Sequence, residues 1–260
     1  NYLFYIASPI NIVSEEAKKK DLGRLKFKDY KQSFSGSLTN TGHSVQISFD
    51  GPPIYLEGAD LPSTYVFEQM HFHWPAEHTI DGKQDALELH FVHYAKQYGN
   101  VSNAAQHKNG VAVVATLFEL SRRDNRYLTP IVKASETVSK WIGQSTTKLR
   151  SKISPYMYLP RDQTTYYRYD GSLTTPACQE SVMWFVLPQK LTVSERQLQV
   201  FRRVESSHGA LIYNNRPVQP LGDREVYHNL DGYSGANSIS SNMLYTFMSI
   251  PIARALHANE

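Results

Sequence analysis

Two short stretches concentrate the histidines that could do chemistry: Gln69-Met70-His71-Phe72-His73-Trp74 and Glu88-Leu89-His90-Phe91-Val92-His93. Successive side chains of a β-strand point to opposite faces, so His71 and His73 share a face, with Gln69 behind them. In the second stretch Leu87, Leu89 and Phe91 alternate with Glu88, His90 and Val92. That sets a third imidazole on one face with a carboxylate two residues behind it. Three neutral imidazoles with an open fourth position are the ligand set of a catalytic zinc ion, whereas structural zinc sites usually close with cysteines. Gln69 and Glu88 stand where acceptors would fix imidazole tautomer and orientation. A His-x-His pair alone is a weak signal; the second strand and the two acceptors strengthen it.

The elements that must position these residues are mainly strands. Val45, Ile47 and Phe49 alternate with polar residues and run into the turn Asp50-Gly51-Pro52-Pro53. Residues 54–56 and 65–74 follow as strands, and Asp81-Gly82 separates the two histidine strands in a way that fits antiparallel neighbours. Residues 111–118 are almost continuously apolar, which places them in the middle of a sheet. Val182, Trp184 and Val186 alternate in another strand. Two helices are expected. One has Thr129 as N-cap, Pro130 at the first helical position, Ile131, Val138, Trp141 and Ile142 as its inner face and Gly143 as its stop. The other opens on a capping box of Ser194 with Gln197, ahead of Leu198, Phe201 and Val204.

The bulk composition narrows the function classes. With 260 residues, 41% hydrophobic content and 12% aromatic content, the chain can bury a substantial core and is not of a disordered type. A net charge of +3 comes from scattered lysines and arginines, the densest run being Lys18-Lys19-Lys20, and reads as solvated surface with no nucleic-acid partner. No stretch reaches the roughly 18 apolar residues of a membrane helix, so no transmembrane segment is expected. Residues 1–7 read as the remnant of an apolar leader or as a first strand. Cys178 is the single cysteine and cannot form an intramolecular disulfide. Asn100-Val101-Ser102 is a glycosylation sequon and leans toward secretion. After Tyr227 the chain turns rich in Asn, Ser and Gly and is expected to be loose from Ser234 onward. A lipid-anchor signal there would need a longer uncharged tail, so an anchor is the minor reading.

The histidine strands belong to a longer set of segments that resembles the α-class carbonic anhydrases. The others are Ser8-Pro9-Ile10-Asn11-Ile12, Asn40-Thr41-Gly42-His43-Ser44, Glu77-His78-Thr79-Ile80-Asp81-Gly82, Gly171-Ser172-Leu173-Thr174-Thr175-Pro176 and Arg216-Pro217-Val218-Gln219-Pro220-Leu221. They follow the family's order from residue 8 to about 227. The resemblance implies a mainly β (α+β) single domain: a large central, mostly antiparallel twisted sheet with a few peripheral helices. It implies residues 1–7 as an amino-terminal remnant, 8–227 as the domain and 228–260 as a tail. It also implies Zn2+ on His71, His73 and His90, with Gln69, Glu88 and Tyr169 supporting the site. The implied reaction is reversible hydration of carbon dioxide to bicarbonate and a proton by a zinc-bound hydroxide. His43 matches the proton shuttle, Thr174 the group that orients the hydroxide, and Glu77 the carboxylate that orients Thr174. Val92, Val113, Leu173, Thr175 and Trp184 match the substrate wall. His78 and His93 match structural histidines, and His107, His208, His228 and His257 read as surface residues.

Four departures from the family pattern stand out. The cover before Ser8 is short and Ala7 replaces the usual glutamine. Cys178 matches half of a disulfide whose partner would lie in that missing region, which points to a secreted or extracellular membrane-associated protein. Only Pro75 and Ala76 separate Trp74 from Glu77, a shortening expected to shift Glu77 and the threonine it orients. Asn215 stands where an aromatic residue is common. The alternative to an active enzyme is a catalytically impaired binding module that retains the zinc site.

Overall fold

The computed structural model describes residues 6–140 and 146–231. Its centre is a 12-stranded sheet. From one edge the order is Thr146–Lys148, Ser35–Asn40, Val45–Asp50, Tyr65–His73, Leu87–Ala95, Val111–Ser121, Val182–Ser194, Tyr166–Gly171, Tyr227–Asn229 and Lys18–Lys20. Tyr55–Gly58 also pairs with Tyr65–His73 and carries Leu25–Lys28 on its far side. Within this sheet the pairings are antiparallel except Val111–Ser121 with Val182–Ser194 and Tyr227–Asn229 with Lys18–Lys20. The expected mainly β, mostly antiparallel architecture is what forms, and residues 111–118 do lie in the middle of it.

Strand alternation sorts the side chains onto two faces. Met70, Phe72, Leu87, Leu89, Phe91, Val114, Phe185 and Leu187 point into the larger hydrophobic cluster. Val92, Val113, Ala115, Trp184 and Val186 join a smaller cluster on the opposite face. The three histidines stand on that second face, so the larger core anchors the strands from behind without occupying the site.

Asp81-Gly82 does not join the two histidine strands directly. It turns a small hairpin, Thr79–Ile80 with Lys83–Gln84, inserted between them and extended by Asn11–Ile12 in a three-stranded sheet of its own. Asp81 and Gly82 both have positive φ, 51° and 74°, the conformation of a two-residue hairpin turn. The inference of antiparallel neighbours nevertheless holds, since Tyr65–His73 and Leu87–Ala95 pair antiparallel.

Of the two helices, Glu195–Phe201 has the expected capping box. The Ser194 hydroxyl accepts from the Gln197 backbone N–H, and the Gln197 side chain returns to the Ser194 N–H. In Thr129–Val138, however, Thr129 is already helical. Leu128 occupies the cap without a side-chain bond, so helix formation there relies on proline in the first turn and on the buried Ile131, Ala134 and Val138. Trp141, Ile142 and Gly143, residues 1–5 of the amino-terminal stretch, and the residues from Ser234 onward with His257 lie outside the described residues. His228 and Asn229, assigned to the tail from composition, are in a sheet strand. No helix among the described residues is long and apolar enough to cross a membrane.

Candidate metal centre

The register of the two central strands builds the site. His71 lies directly across from His90, and His73 across from Glu88. Ligand nitrogens of His71, His73 and His90 come within 4.8 Å of one another. Each ring is oriented by an acceptor on its other nitrogen. His71 Nδ1 is 2.9 Å from Gln69 Oε1, His73 Nδ1 is 3.1 Å from the Asn214 carbonyl, and His90 Nε2 is 2.7 Å from Glu88 Oε1. With those three N–H groups committed, the remaining nitrogens each present a lone pair to a common centre.

Two observations show that a cation fits there. His73 Nε2 is buried and has no hydrogen-bond partner. His90 Nδ1 and His71 Nε2 face each other at 3.3 Å, two lone pairs that repel unless something positive lies between them. Burial also keeps the rings in the neutral, ligating form. It drives His71 well below the usual histidine range, His73 down to about 4, and His90 downward against the pull of Glu88. A nitrogen-only set with an open side suits zinc among the common divalent metals.

A second trio, His78, Glu88 and His90, also has ligand atoms close together. There Glu88 Oε1 already accepts from His78 Nδ1 at 2.6 Å and from His90 Nε2 at 2.7 Å. The atoms are engaged with one another and leave no converging lone pairs for an ion.

Glu88 is fully buried, and all four of its hydrogen-bond partners are donors. Besides the two imidazoles, Oε2 accepts from the backbone N–H groups of Glu77 and His78, each at 2.8 Å. Burial pushes its carboxyl up, but His78 and His90 outweigh that and hold it well below the usual carboxylate range. From Glu88 the network continues through His78 Nε2 to the Tyr169 hydroxyl at 2.6 Å and on to Ser8 Oγ at 3.0 Å. Ser8 reaches that position because Gly171 has no side chain: a Cβ there would lie 2.1 Å from Ser8 Oγ.

His71 and His73 line an open cavity of ≈ 620 Å³, and His43, Thr174 and Thr175 stand on its walls. His43 is exposed and Thr174 half-buried. Glu77 is buried behind the ligands. Its Oε1 accepts the Arg216 N–H at 2.8 Å and lies 3.4 Å from His73 Nδ1. Burial raises its pKa to about 7; the nearby Thr174 hydroxyl pulls the other way, yet Oε2 completes no hydrogen bond. Val92, Val113 and Trp184 pack as a buried floor, with Leu173 against them and Trp184 edge-on to His90 at 4.8 Å between ring centroids. They stand behind the ligands and are not among the residues that line the open cavity.

Asn214 escaped the sequence reading. Its carbonyl orients His73, its Oδ1 accepts from Trp74 N–H at 2.7 Å, and its amide donates to the carbonyls of His43 and Phe72, each at 2.9 Å. No periodicity marks it, because it acts from an irregular stretch 141 residues away from His73. His78 and His93 are fully buried with both ring nitrogens engaged, as structural histidines should be. His107 and His208 are exposed, whereas His228 is half-buried against Tyr167. Asn100 is exposed and caps a short helix through its side-chain oxygen. Cys178 is a free, half-exposed thiol just beyond the Thr174–Thr175 wall.

A wide mixed sheet carries three converging histidines, two of them lining an open cavity, in an arrangement that could hold one metal ion. The chain belongs to the eukaryotic-type carbonic anhydrase family, whose model matches residues 6–230. It is 37% identical to carbonic anhydrase 6 of Mus musculus over 253 residues, covering 91% of this chain and 78% of that protein. Against carbonic anhydrase 4 of Rattus norvegicus it is 34% identical, with 85% and 74% covered, and against carbonic anhydrase 7 of Homo sapiens 35%, with 84% and 86% covered.

Proposed function

We propose that this carbonic anhydrase binds zinc through His71, His73 and His90 and is a competent catalyst of the reversible hydration of carbon dioxide. The observation that carries the reading is the set of three lone pairs aimed at one point, each fixed by a separate acceptor. Zinc supplies Lewis-acid activation of water at neutral pH. The chain supplies the rest. Thr174 and Thr175 offer hydroxyls at the cavity wall to orient water and bicarbonate, the buried Glu77 acts on Thr174, and Val92, Val113, Leu173 and Trp184 form an apolar cluster that backs His90 rather than lining the cavity. His43, exposed on the same cavity, carries the released proton to buffer. The domain runs from residue 8 through the Tyr227–Asn229 strand, and its place is extracellular, secreted or membrane-associated. The exposed sequon at Asn100 and the likeness to carbonic anhydrases 6 and 4 support that placement.

One observation favours the impaired-module alternative: Glu77 Oε2 makes no hydrogen bond, so its grip on Thr174 is incomplete. Metal analysis and a carbon dioxide hydration assay on the protein and on His90→Ala decide between them. Stoichiometric zinc with hydration well above the variant's is expected. Stoichiometric zinc with no excess over the variant would leave only the module.

A further inference from the structure

Charge is distributed unevenly along the chain. Residues 122–152 hold eight lysines and arginines against two acidic residues, a net +6, while the whole chain carries +3 and the remainder therefore sums to −3. The fold gathers the middle of this segment around one cleft of ≈ 380 Å³ between the Thr129–Val138 helix and the Thr146–Lys148 edge strand. Arg126, Lys133, Lys148 and Arg150 line it, no acidic residue among the described ones does, and the Thr129, Thr137, Thr147 and Ser151 hydroxyls lie among them.

These cations are mostly unspent. Lys148 is paired with Asp50 at 2.6 Å, but Arg126, Lys133 and Arg150 make no ion pair among the described residues. Asp124, one of the segment's two carboxylates, is taken by Arg196. The other, Glu136, lies in an adjoining hollow with Lys133 and Arg150. Arg122, Arg123, Lys140 and Lys152, close to these residues in sequence, are exposed as well. Edge-strand protection accounts for a lysine at position 148. It does not account for Arg126 and Lys133 arriving at the same cleft from the helix side.

We infer that this cleft and its basic surround bind a linear sulfated polysaccharide. Several like charges converging on a hydroxyl-lined cleft hold a polyanion by displacing its counterions, with guanidinium and hydroxyl donors taking the sulfate oxygens. Four cations spread over one cleft, with two of them shared by the adjoining hollow, fit a chain of several charges better than a single small ion. Among the described residues no aromatic ring lines the cleft, and the DNA comparison below separates a nucleic acid from a polysaccharide. The Arg126 guanidinium lies over the neighbouring Tyr127 ring at 4.8 Å. The cleft is lined by none of the metal-centre residues, so this binding stands apart from the hydration chemistry and is measured in solution whatever the protein's compartment.

The test is equilibrium binding of the full chain to heparin fragments across a salt series, with desulfated heparin and a DNA oligonucleotide of matched charge as comparisons. Lys133→Gln/Arg150→Gln removes two cleft charges, and Lys83→Gln/Lys108→Gln removes two exposed lysines elsewhere, giving the same net charge. Heparin should bind and desulfated heparin should not. The cleft variant should lose affinity on the order of tenfold and about two units of salt slope, while the control stays near the parent. Carbon dioxide hydration, equal in both variants, reports that each is folded. No saturable binding at low salt, equal losses in the two variants, or tighter binding of DNA than of heparin would each overturn the proposal.

Discussion

The backbone carbonyl of Asn214 lies 3.1 Å from Nδ1 of His73 and fixes the tautomer of a candidate ligand on the central sheet from a loop near the end of the domain. The side chain of the same residue ties that loop to Trp74, Phe72 and His43. Asn214→Ala keeps the carbonyl and removes the three side-chain bonds. At ~1 kcal/mol per bond, a loss of about 3 kcal/mol in the urea unfolding free energy of the metal-free protein is expected. An unchanged midpoint would show that the loop holds its place without them.

Glu88→Gln is not a conservative change here. All four groups around the Glu88 carboxylate are donors, two to each oxygen, so an amide NH2 must face two of them whichever way it is turned. The variant should lose about 3 kcal/mol or more of stability and bind zinc on the order of 10- to 100-fold more weakly, measured by denaturation and by competition with a chelator. Glu88→Asp, which keeps acceptors only, should do less harm to zinc affinity than Glu88→Gln.

Glu77 makes stability depend on pH in the metal-free protein. Its carboxyl is raised from 4.5 to about 7, chiefly by burial, so between those values the folded chain holds a proton that the unfolded chain releases. The contribution is therefore fully present below pH 4.5 and is lost as pH rises through 7. Glu77→Gln removes the titration. Relative to the parent it should gain stability between pH 5 and pH 8, by up to roughly 3 kcal/mol at the linkage limit. Parallel stability curves for the two proteins across that range would exclude this account of Glu77.

His43→Ala should separate two kinetic constants. The side chain stands on the cavity wall, exposed, and does not contact the ligand set. Proton removal should slow by roughly ten- to a hundredfold in kcat, with kcat/KM nearly unchanged, and imidazole buffer should restore much of the loss. Equal falls in both constants would instead mean that the loop, not the imidazole, matters to the site.

Much of this was legible in the residues. Period-two alternation put His71, His73 and His90 on one face and Leu87, Leu89 and Phe91 on the other, and the two-residue offsets of Gln69 and Glu88 gave correct partners. Local patterns fail where the partner is remote. Asn214 has no offset that ties it to His73, and the four donors around Glu88 come partly from the segment that follows the ligand strand. Turn chemistry found Asp81-Gly82 but could not say that its hairpin forms a separate small sheet. Thr129 misled because a threonine before proline resembles a cap, whereas the helix begins one residue earlier and is held by burial.

The parallel pairing of Val111–Ser121 with Val182–Ser194 separates the molecule's history from its chemistry. All three ligands emerge from the ribosome within twenty residues of one another, and Gln69 and Glu88 emerge with them. The Asn214 carbonyl and the Trp184 floor arrive only after about a hundred further residues have been made. A nascent chain thus owns the full trio of imidazoles long before it owns the surroundings that hold them still, and any ion captured early would meet a site whose rings are not yet fixed.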